Sequence, residues 1–189
     1  MNISPYSTRV AARVRGFTLI ELLVTLSIAA ILALLSTSFS DLSQRNQLIA
    51  AFNTLVTDMN YARSEAIKTG EEMVICISSD GINCIRGDDW RQGWIIYQDS
   101  DGDRRRDQDE TIKKHQNEIL GSTLIRYNGR PVDNFIRFQA SGSTQYNGTF
   151  SFCALGKQNL KRALILSNTG RLRSASTKAN GSPLDCPTV

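Results

Sequence analysis

The stretch that decides the fold is Arg15–Phe39, RGFTLIELLVTLSIAAILALLSTSF. Between Phe17 and Phe39 the chain has 23 residues, and Glu21 is the only charged one among them. As a helix this segment would be about 35 Å long, which is enough to cross the hydrocarbon core of a bilayer. Three arginines and no acidic residue precede it, at positions 9, 13 and 15. The pattern predicts a transmembrane helix at residues 17–40 with a basic flank before it.

The position of Gly16 distinguishes this segment from an ordinary secretory signal, in which the small-residue cleavage site follows the apolar run. Cleavage after Gly16 would leave the apolar helix on the mature protein. A lone carboxylate in hydrocarbon costs about 2.5–3.5 kcal/mol, and no lysine or arginine follows Glu21 within the run. The nearest cation would be the new amine of Phe17, on the same chain or on a neighbouring subunit. We therefore expect Glu21 to pair with a neighbour's Phe17 amine during assembly; the alternative is a plain signal anchor with a stray glutamate.

The run R-G-F-T-L-I-E-L-L-V resembles the class III signal of type IV prepilins and pseudopilins. This resemblance implies that a prepilin peptidase removes a leader peptide, residues 1–16, by cutting between Gly16 and Phe17. It also implies N-methylation of Phe17 and a role in assembly for Glu21, the fifth mature residue. The implied partners are other pilins, which bind through the N-terminal helix. The implied location is the bacterial inner membrane, single-pass with a periplasmic head, and then an extracellular pilus.

Residues 41–70 predict an amphipathic continuation of the same helix. Apolar side chains recur there at steps of three and four residues, at Leu48, Phe52, Leu55, Met59, Ala62 and Ala66. Gly70 is a typical C-terminal stop for a helix. The sequence thus predicts one helix of about 50 residues, whose second half packs on a globular head.

Residues 71–189 predict short strands separated by Asp-Gly and Asn-Gly turns. The predicted strands are Met73–Ser78, Gly93–Gln98, Thr123–Tyr127, Phe135–Phe138, Thr149–Cys153, Ala163–Ser167 and Gly170–Ser174. The run TQYNGTFSF predicts a hairpin around Asn147-Gly148. Short strands packed on one helix make an α+β fold.

The run from Gly93 to Asp99, GWIIYQD, is followed by an Asp/Gly-rich loop and by Asp109–Ile112, DETI. This arrangement is similar to the GspH/FimT family of minor pilins and pseudopilins. The resemblance implies a type IV pilin-like fold, with the long helix packed on an antiparallel two-sheet β head. It also implies a filament subunit that is usually scarce and near the tip.

The four cysteines follow a membrane-directed segment, and an even number in that context favours disulfides. Three pairings are possible, and local closure favours Cys76–Cys84 and Cys153–Cys186. A metal site is a weaker interpretation, because the chain has no C-x-x-C motif and a single histidine, His115. That histidine lies in a polar run, and no phosphate-binding loop occurs. We therefore expect neither enzyme activity nor a cofactor.

The loop from Asp99 to Glu110 places acidic side chains at positions 1, 3, 5, 9 and 12 of an EF-hand pattern. An EF-hand needs glycine at position 6 for its sharp turn, and Arg104 stands there. Arg104 and the two arginines that follow also neutralise much of the negative charge of the loop. The sequence favours a solvated hairpin loop without metal, and a calcium site is the alternative.

The last 33 residues carry six basic side chains against the single acid Asp185. In an extended segment Arg171 and Arg173 would point to the same face, suited to successive phosphates. The run Gly-Arg-Leu-Arg ending at Arg173 resembles the G-R-x-R element of FimT-type minor pilins. This resemblance implies DNA binding by Arg171 and Arg173 during natural transformation.

Charge alone adds further candidates to this basic region, namely Lys161, Arg162 and Lys178. Binding to double-stranded DNA would then be sequence-independent. The alternatives are a solvated basic face or ion pairs with a neighbouring subunit. At the level of function, the alternatives are a FimU-like tip-complex adaptor in pilus assembly and a GspH-like pseudopilin of type II secretion.

Overall fold

The computed structural model of the chain describes residues 16–130, 135–157, 159–184 and 186, without the side chains of residues 34–40 and 130. The chain divides into two units, Met1–Ser40 and Asp41–Val189. Helix α1, Leu19–Thr69, has 51 residues and contributes to both of them. A single long helix is therefore confirmed, with the length that the sequence predicts.

In the first unit, α1 begins next to a capping threonine. The backbone N–H of Glu21 donates to Thr18 Oγ1 at 3.3 Å, and that of Leu22 donates to the Thr18 carbonyl at 3.1 Å. The large apolar side chains between Phe17 and Leu32 are about half exposed or more. Among the described residues, no helical stretch combines the length and the hydropathy that a bilayer span requires. The predicted leader falls on residues 1–16, of which 1–15 lie outside the described residues.

In the second unit, here called the head, the helix buries the stripe that its periodicity predicts. All six residues of the stripe, from Leu48 to Ala66, are buried. The helix ends where expected: the Gly70 N–H donates to the Ala66 carbonyl at 3.0 Å, and Gly70 has φ +75°. A positive φ is easily adopted only by glycine, which explains the residue at this stop.

Within the described residues of the head, eight strands form two antiparallel sheets. They are β1 Glu72–Ile77, β2 Trp94–Asp99, β3 Ile112–Gln116, β4 Thr123–Arg130, β5 Phe135–Phe138, β6 Asn147–Ala154, β7 Lys161–Leu166 and β8 Leu172–Ala175. The first sheet has the strand order β3-β2-β1-β5 and the second has the order β4-β6-β7-β8. The α+β class and the two-sheet head are therefore confirmed.

The core lies between the helical stripe and one face of each sheet. Phe52 of the helix contacts Phe152 of the second sheet, with ring centroids 5.2 Å apart. Trp90, in a single 3-10 turn at Trp90–Gln92, packs edge-on against Phe150 at 5.1 Å. Aromatic side chains thus join the helix, both sheets and the connection before β2 into one core.

One carboxylate lies inside this core. Asp58 of α1 is fully buried, and its Oδ2 accepts a hydrogen bond of 2.8 Å from Trp94 Nε1. Its Oδ1 accepts from the ammonium group of Lys114 on β3. A buried charge needs such partners, so this contact ties the helix to two strands of the first sheet.

Two details of the predicted strands are wrong. The sequence predicts no strand at Ile112–Gln116, yet β3 forms there and pairs with β2 at the edge of the first sheet. Its lysines and histidine interrupt the apolar pattern that predicts a strand. Such residues are typical of an edge strand, because charge prevents further pairing.

The second error is the hairpin at Asn147-Gly148, which instead begins β6. Gly148 lies opposite Gly129, one pair from the end of the β4–β6 ladder. An added Cβ on Gly129 would lie 2.1 Å from the hydroxyl oxygen of Tyr127, and one on Gly148 would lie 2.8 Å from the same ring. The two glycines therefore make room for an aromatic ring rather than for a turn.

Two disulfides close loops in the head. They join Cys76 to Cys84 and Cys153 to Cys186, the pairing that local closure favours. The first links β1 to the connection that follows it, and the second links β6 to the end of the described chain. The second loop is much the longer, with a sequence separation of 33 against 8.

Candidate functional site

The basic motif begins at a turn that only glycine can make. The Gly170 N–H donates to the Ser167 carbonyl at 2.8 Å, and Gly170 has φ +72°. A Cβ at this position would lie 2.1 Å from the Gly142 carbonyl oxygen. Arg63 of α1 donates from Nε to that same oxygen at 2.9 Å. The turn is therefore fixed by both its own backbone and the helix.

Both arginines of the motif are exposed at the edge of the second sheet. Arg171 directly follows the turn, and Arg173 lies in the edge strand β8 opposite Ile165 of β7. In extended backbone, side chains two residues apart point to the same face at about 6.6 Å spacing. The two guanidinium groups thus share the outer face of the sheet, the face turned away from α1.

Two further basic side chains lie on this outer face. Lys161, at the start of β7, is exposed and lies opposite Cys153. Lys178 belongs to the C-terminal tail and lines a shallow groove with Ile165 and Thr149. Ile165 is the cross-strand neighbour of Arg173. The face therefore combines arginines from the edge strand with lysines from β7 and the tail.

Arg162 lies on the opposite face of β7. Its guanidinium carbon is 4.4 Å from the centroid of the Phe52 ring, and its Nε donates to Ser174 Oγ at 3.0 Å. Successive side chains of a strand alternate between faces, so its neighbour Lys161 points away from it. Counting charges places Lys161 and Arg162 in one basic region, but their side chains lie on opposite faces of β7.

The second disulfide holds the tail against this basic face. Cys153 and Lys161 are cross-strand partners, so the bond to Cys186 brings the end of the tail beside Lys161. Leu184, two residues before Cys186, is 5% exposed and anchors the tail by burial. The tail is thus fixed at a covalent and an apolar contact, which pre-orders the face.

Sequence reasoning missed one cation on this face. Arg126 of β4 lies opposite Ser151 and forms an ion pair of 3.5 Å with Asp88. Its side chain is 50% exposed. The alternation of β4 could have revealed it, since the buried Ile125 and its exposed neighbour Arg126 occupy opposite faces.

The residues of the predicted processing and assembly site lie at the start of the described chain. Gly16 and Phe17 precede α1 and are exposed, and Phe17 is 82% exposed. Glu21 is exposed in the first turn of the helix. This arrangement leaves the carboxylate accessible to a neighbour, and the pairing with a Phe17 amine stays a prediction.

The sequence matches one known protein family and one known N-terminal motif. The chain matches the family described as type II transport protein GspH over residues 51–170. The chain belongs to the GspH family. It also matches the prokaryotic N-terminal methylation motif over residues 11–37, which includes Gly16, Phe17 and Glu21. The GspH family and this motif are those of pilin-like structural subunits rather than of enzymes.

The fold is similar to that of the type IV minor pilin FimU from Pseudomonas aeruginosa strain PAO1. In one crystal form the FimU chain is 22% identical, with a TM-score of 0.55, and the match covers 72% of this chain and 96% of that crystallised chain. A second crystal form is 20% identical, with a TM-score of 0.48 and coverage of 74% and 97%. No curated protein sequence is significantly similar to the chain.

Proposed function

We propose that this GspH-family protein is a minor pilin of a type IV pilus. The methylation motif at residues 11–37 supports removal of the leader after Gly16 and modification of Phe17. Before assembly, the apolar helix anchors the chain in the bacterial inner membrane as a single pass. In the filament the exposed apolar side chains of this helix pack against other pilins, and Glu21 pairs with a neighbour's amine.

We infer that the head also binds DNA, through Arg171 and Arg173. The observation that carries this inference is the exposure of both guanidinium groups on one face, after a turn held by Gly170. Lys161 and Lys178 extend the same face, whereas Arg162 packs on Phe52. Planar guanidinium groups bind phosphate oxygens in pairs. Since they contact the backbone and not the bases, binding is independent of sequence.

A salt series tests the DNA contact. Each neutralised phosphate contributes about −0.9 to the slope of log K against log salt concentration. The Arg171→Gln/Arg173→Gln variant should therefore bind duplex DNA more weakly, with a slope flatter by about 1.8. The measurement is fluorescence anisotropy of labelled duplex DNA with the full chain in neutral detergent.

A matched control separates this face from general charge. Arg86 and Arg105 are exposed arginines at the first sheet, and their replacement by glutamine changes the net charge equally. That control should keep the wild-type slope. Unchanged binding by the Arg171→Gln/Arg173→Gln variant, or an equal loss in the control, would refute the assignment.

A pseudopilin role in type II secretion is the second candidate, favoured by the description of the matching family. A FimU-like adaptor at the filament tip is the third. Deletion of the gene distinguishes them: loss of transformation indicates DNA uptake, loss of secretion indicates a pseudopilin, and loss of piliation and twitching alone indicates an adaptor. Complementation with the Arg171→Gln/Arg173→Gln variant should restore piliation but not transformation.

A further inference from the structure

The loop between β2 and β3 carries a carboxylate cluster that neither role uses. Asp99, Asp101 and Asp103 each place a carboxylate oxygen within 4.8 Å of the others. Asp99 is 2% exposed at the end of β2, whereas Asp101 and Asp103 are exposed. Like charges at this spacing disfavour their common ionisation unless a cation lies between them.

One oxygen of Asp99 is buried without a donor. Oδ1 of Asp99 accepts from the Gly102 N–H at 2.9 Å, but Oδ2 has no hydrogen-bond partner and is shielded from solvent. Buried polar atoms almost always have a partner, so an exception calls for an explanation such as an ion.

A second buried oxygen without a hydrogen-bond partner belongs to Tyr97, two residues earlier on the same face of β2. The side chain is fully buried, and its hydroxyl has no hydrogen-bond partner. Tyr97 packs with Val74, Cys76 and Ile95 in a small apolar cluster on this face of the first sheet.

We propose that Asp99, Asp101 and Asp103 bind one calcium ion. Calcium takes six to eight oxygen ligands at about 2.3–2.6 Å in flexible geometry, so oxygens on opposite sides of one ion lie about 4.6–5.2 Å apart. Carboxylate oxygens within 4.8 Å of one another can all reach one such ion. Magnesium is less suited to a flexible loop, because its shorter bonds of about 2.0–2.1 Å demand near-ideal octahedral geometry. Backbone carbonyl groups and water complete the coordination.

The arginines of the loop do not prevent calcium binding. Arg104 has φ +69°, so it adopts the left-handed conformation that usually calls for glycine at this position of the loop. Within the described residues, neither Arg105 nor Arg106 forms an ion pair with the three aspartates. Arg106 instead donates from Nη2 to the Glu110 carbonyl at 3.5 Å. Arg105 and Arg106 therefore do not compete with a cation for these carboxylates.

Glu110 is a positioning residue for this loop. It is 6% exposed; its Oε1 accepts from the Ser100 N–H at 2.8 Å and its Oε2 accepts from the Asp107 N–H at 3.1 Å. These two bonds clamp the start of the loop to its end. The aspartates are thus held close together before the ion arrives, which lowers the entropic cost of binding.

Titration calorimetry of the chelator-treated full chain in neutral detergent, with calcium chloride and then magnesium chloride, tests the proposal. We expect one calcium ion per chain, with Kd of about 10⁻⁴–10⁻³ M as in extracellular modules, and weaker magnesium binding. Calcium should also raise Tm by several degrees. The Asp101→Asn/Asp103→Asn variant alters only exposed side chains and should lose at least about tenfold in affinity.

The matched control is Asp109→Asn/Glu118→Gln, which removes the same charge from exposed acids in and just after the loop, outside the cluster. It should retain affinity within about twofold. No heat and no Tm shift for the wild type in millimolar calcium would overturn the proposal. An equal loss in both variants would also overturn it, because the effect would then be general attraction. Neither outcome depends on the role in pili or in DNA binding.

Discussion

Replacing Asp58 by alanine should lower the free energy of unfolding of the head by about 3–5 kcal/mol, the cost of breaking a buried ion pair. The Asp58 carboxylate is fully buried and accepts hydrogen bonds from residues of both β2 and β3. It accepts from Trp94 Nε1 at 2.8 Å and from the Lys114 ammonium. No other side chain of α1 makes an ion pair with a strand of the first sheet, within the part of the chain that the structure describes.

The two partners contribute to this magnitude in different ways. Trp94 is fully buried, so loss of Asp58 leaves an indole N–H in the core without an acceptor, which costs about 1–3 kcal/mol. The Lys114 side chain is 39% exposed and can turn its ammonium to solvent, so the rest is the lost charge-assisted bond, about 1.5–3 kcal/mol. Asp58→Asn keeps an acceptor for the indole and loses only the charge-assisted bond, so it should cost about 1.5–3 kcal/mol.

Guanidinium unfolding followed by tryptophan fluorescence measures both variants, since Trp94 itself reports on the site. Asp107→Ala, at an exposed acid, is the control and should change the free energy by less than about 0.5 kcal/mol. The reasoning fails if Asp58→Ala costs less than about 1 kcal/mol, or if Asp58→Asn is as damaging as Asp58→Ala. Either result would mean that the indole bond does not stabilise the core.

Three other changes test separate contacts. Replacing Cys153 and Cys186 by serine opens a loop of separation 33 and should lower the free energy of unfolding by about 3.7 kcal/mol in chemical denaturation, against about 2.5 kcal/mol for the shorter disulfide; equal losses would contradict the chain-entropy account. Gly170→Ala should cost about 1–3 kcal/mol in thermal unfolding because its Cβ would meet a carbonyl oxygen. Gly181→Ala, with φ +82° but open space around it, should cost less than Gly170→Ala. Glu21→Ala should leave membrane insertion intact and abolish incorporation into sheared filaments, and normal incorporation would remove the role of this carboxylate.

Local patterns predict the helix and the fold class. The stripe from Leu48 to Ala66 has the period of an α-helix and is buried throughout. The run of short apolar segments after Gly70 likewise predicts strands. These signals are local, because each follows from the spacing of residues within one element.

The errors arise where a strand depends on its neighbours. β3 carries Lys114, whose charge argues against a strand until its buried partner Asp58 is known. Gly129 and Gly148 suggest turns until the ring of Tyr127 is seen to fill the space between them. In each case a residue from another element decides the structure, and no pattern within the segment contains that information.

The sequence predicts only part of the basic face, because the rest of the face depends on residues from other elements. Spacing within one strand places Arg171 and Arg173 together, and the turn at Gly170 follows from its residue type. Charge count also suggests Arg162, which the structure stacks on Phe52 instead. Arg126, from a distant strand, joins the face only through the register of the sheet.

The inner faces of the two sheets and the outer face of the second sheet have different roles, one in stability and the other in the proposed function. The inner faces hold the helical stripe and the buried Asp58, so substitutions there act on folding. On the outer face of the second sheet the tail is anchored by the buried Leu184, but Arg171 and Arg173 are exposed and can present charge without packing in the core. It follows that the arginine variants should keep wild-type stability within about 0.5 kcal/mol, so that any loss of DNA binding reports on contact with phosphate rather than on unfolding.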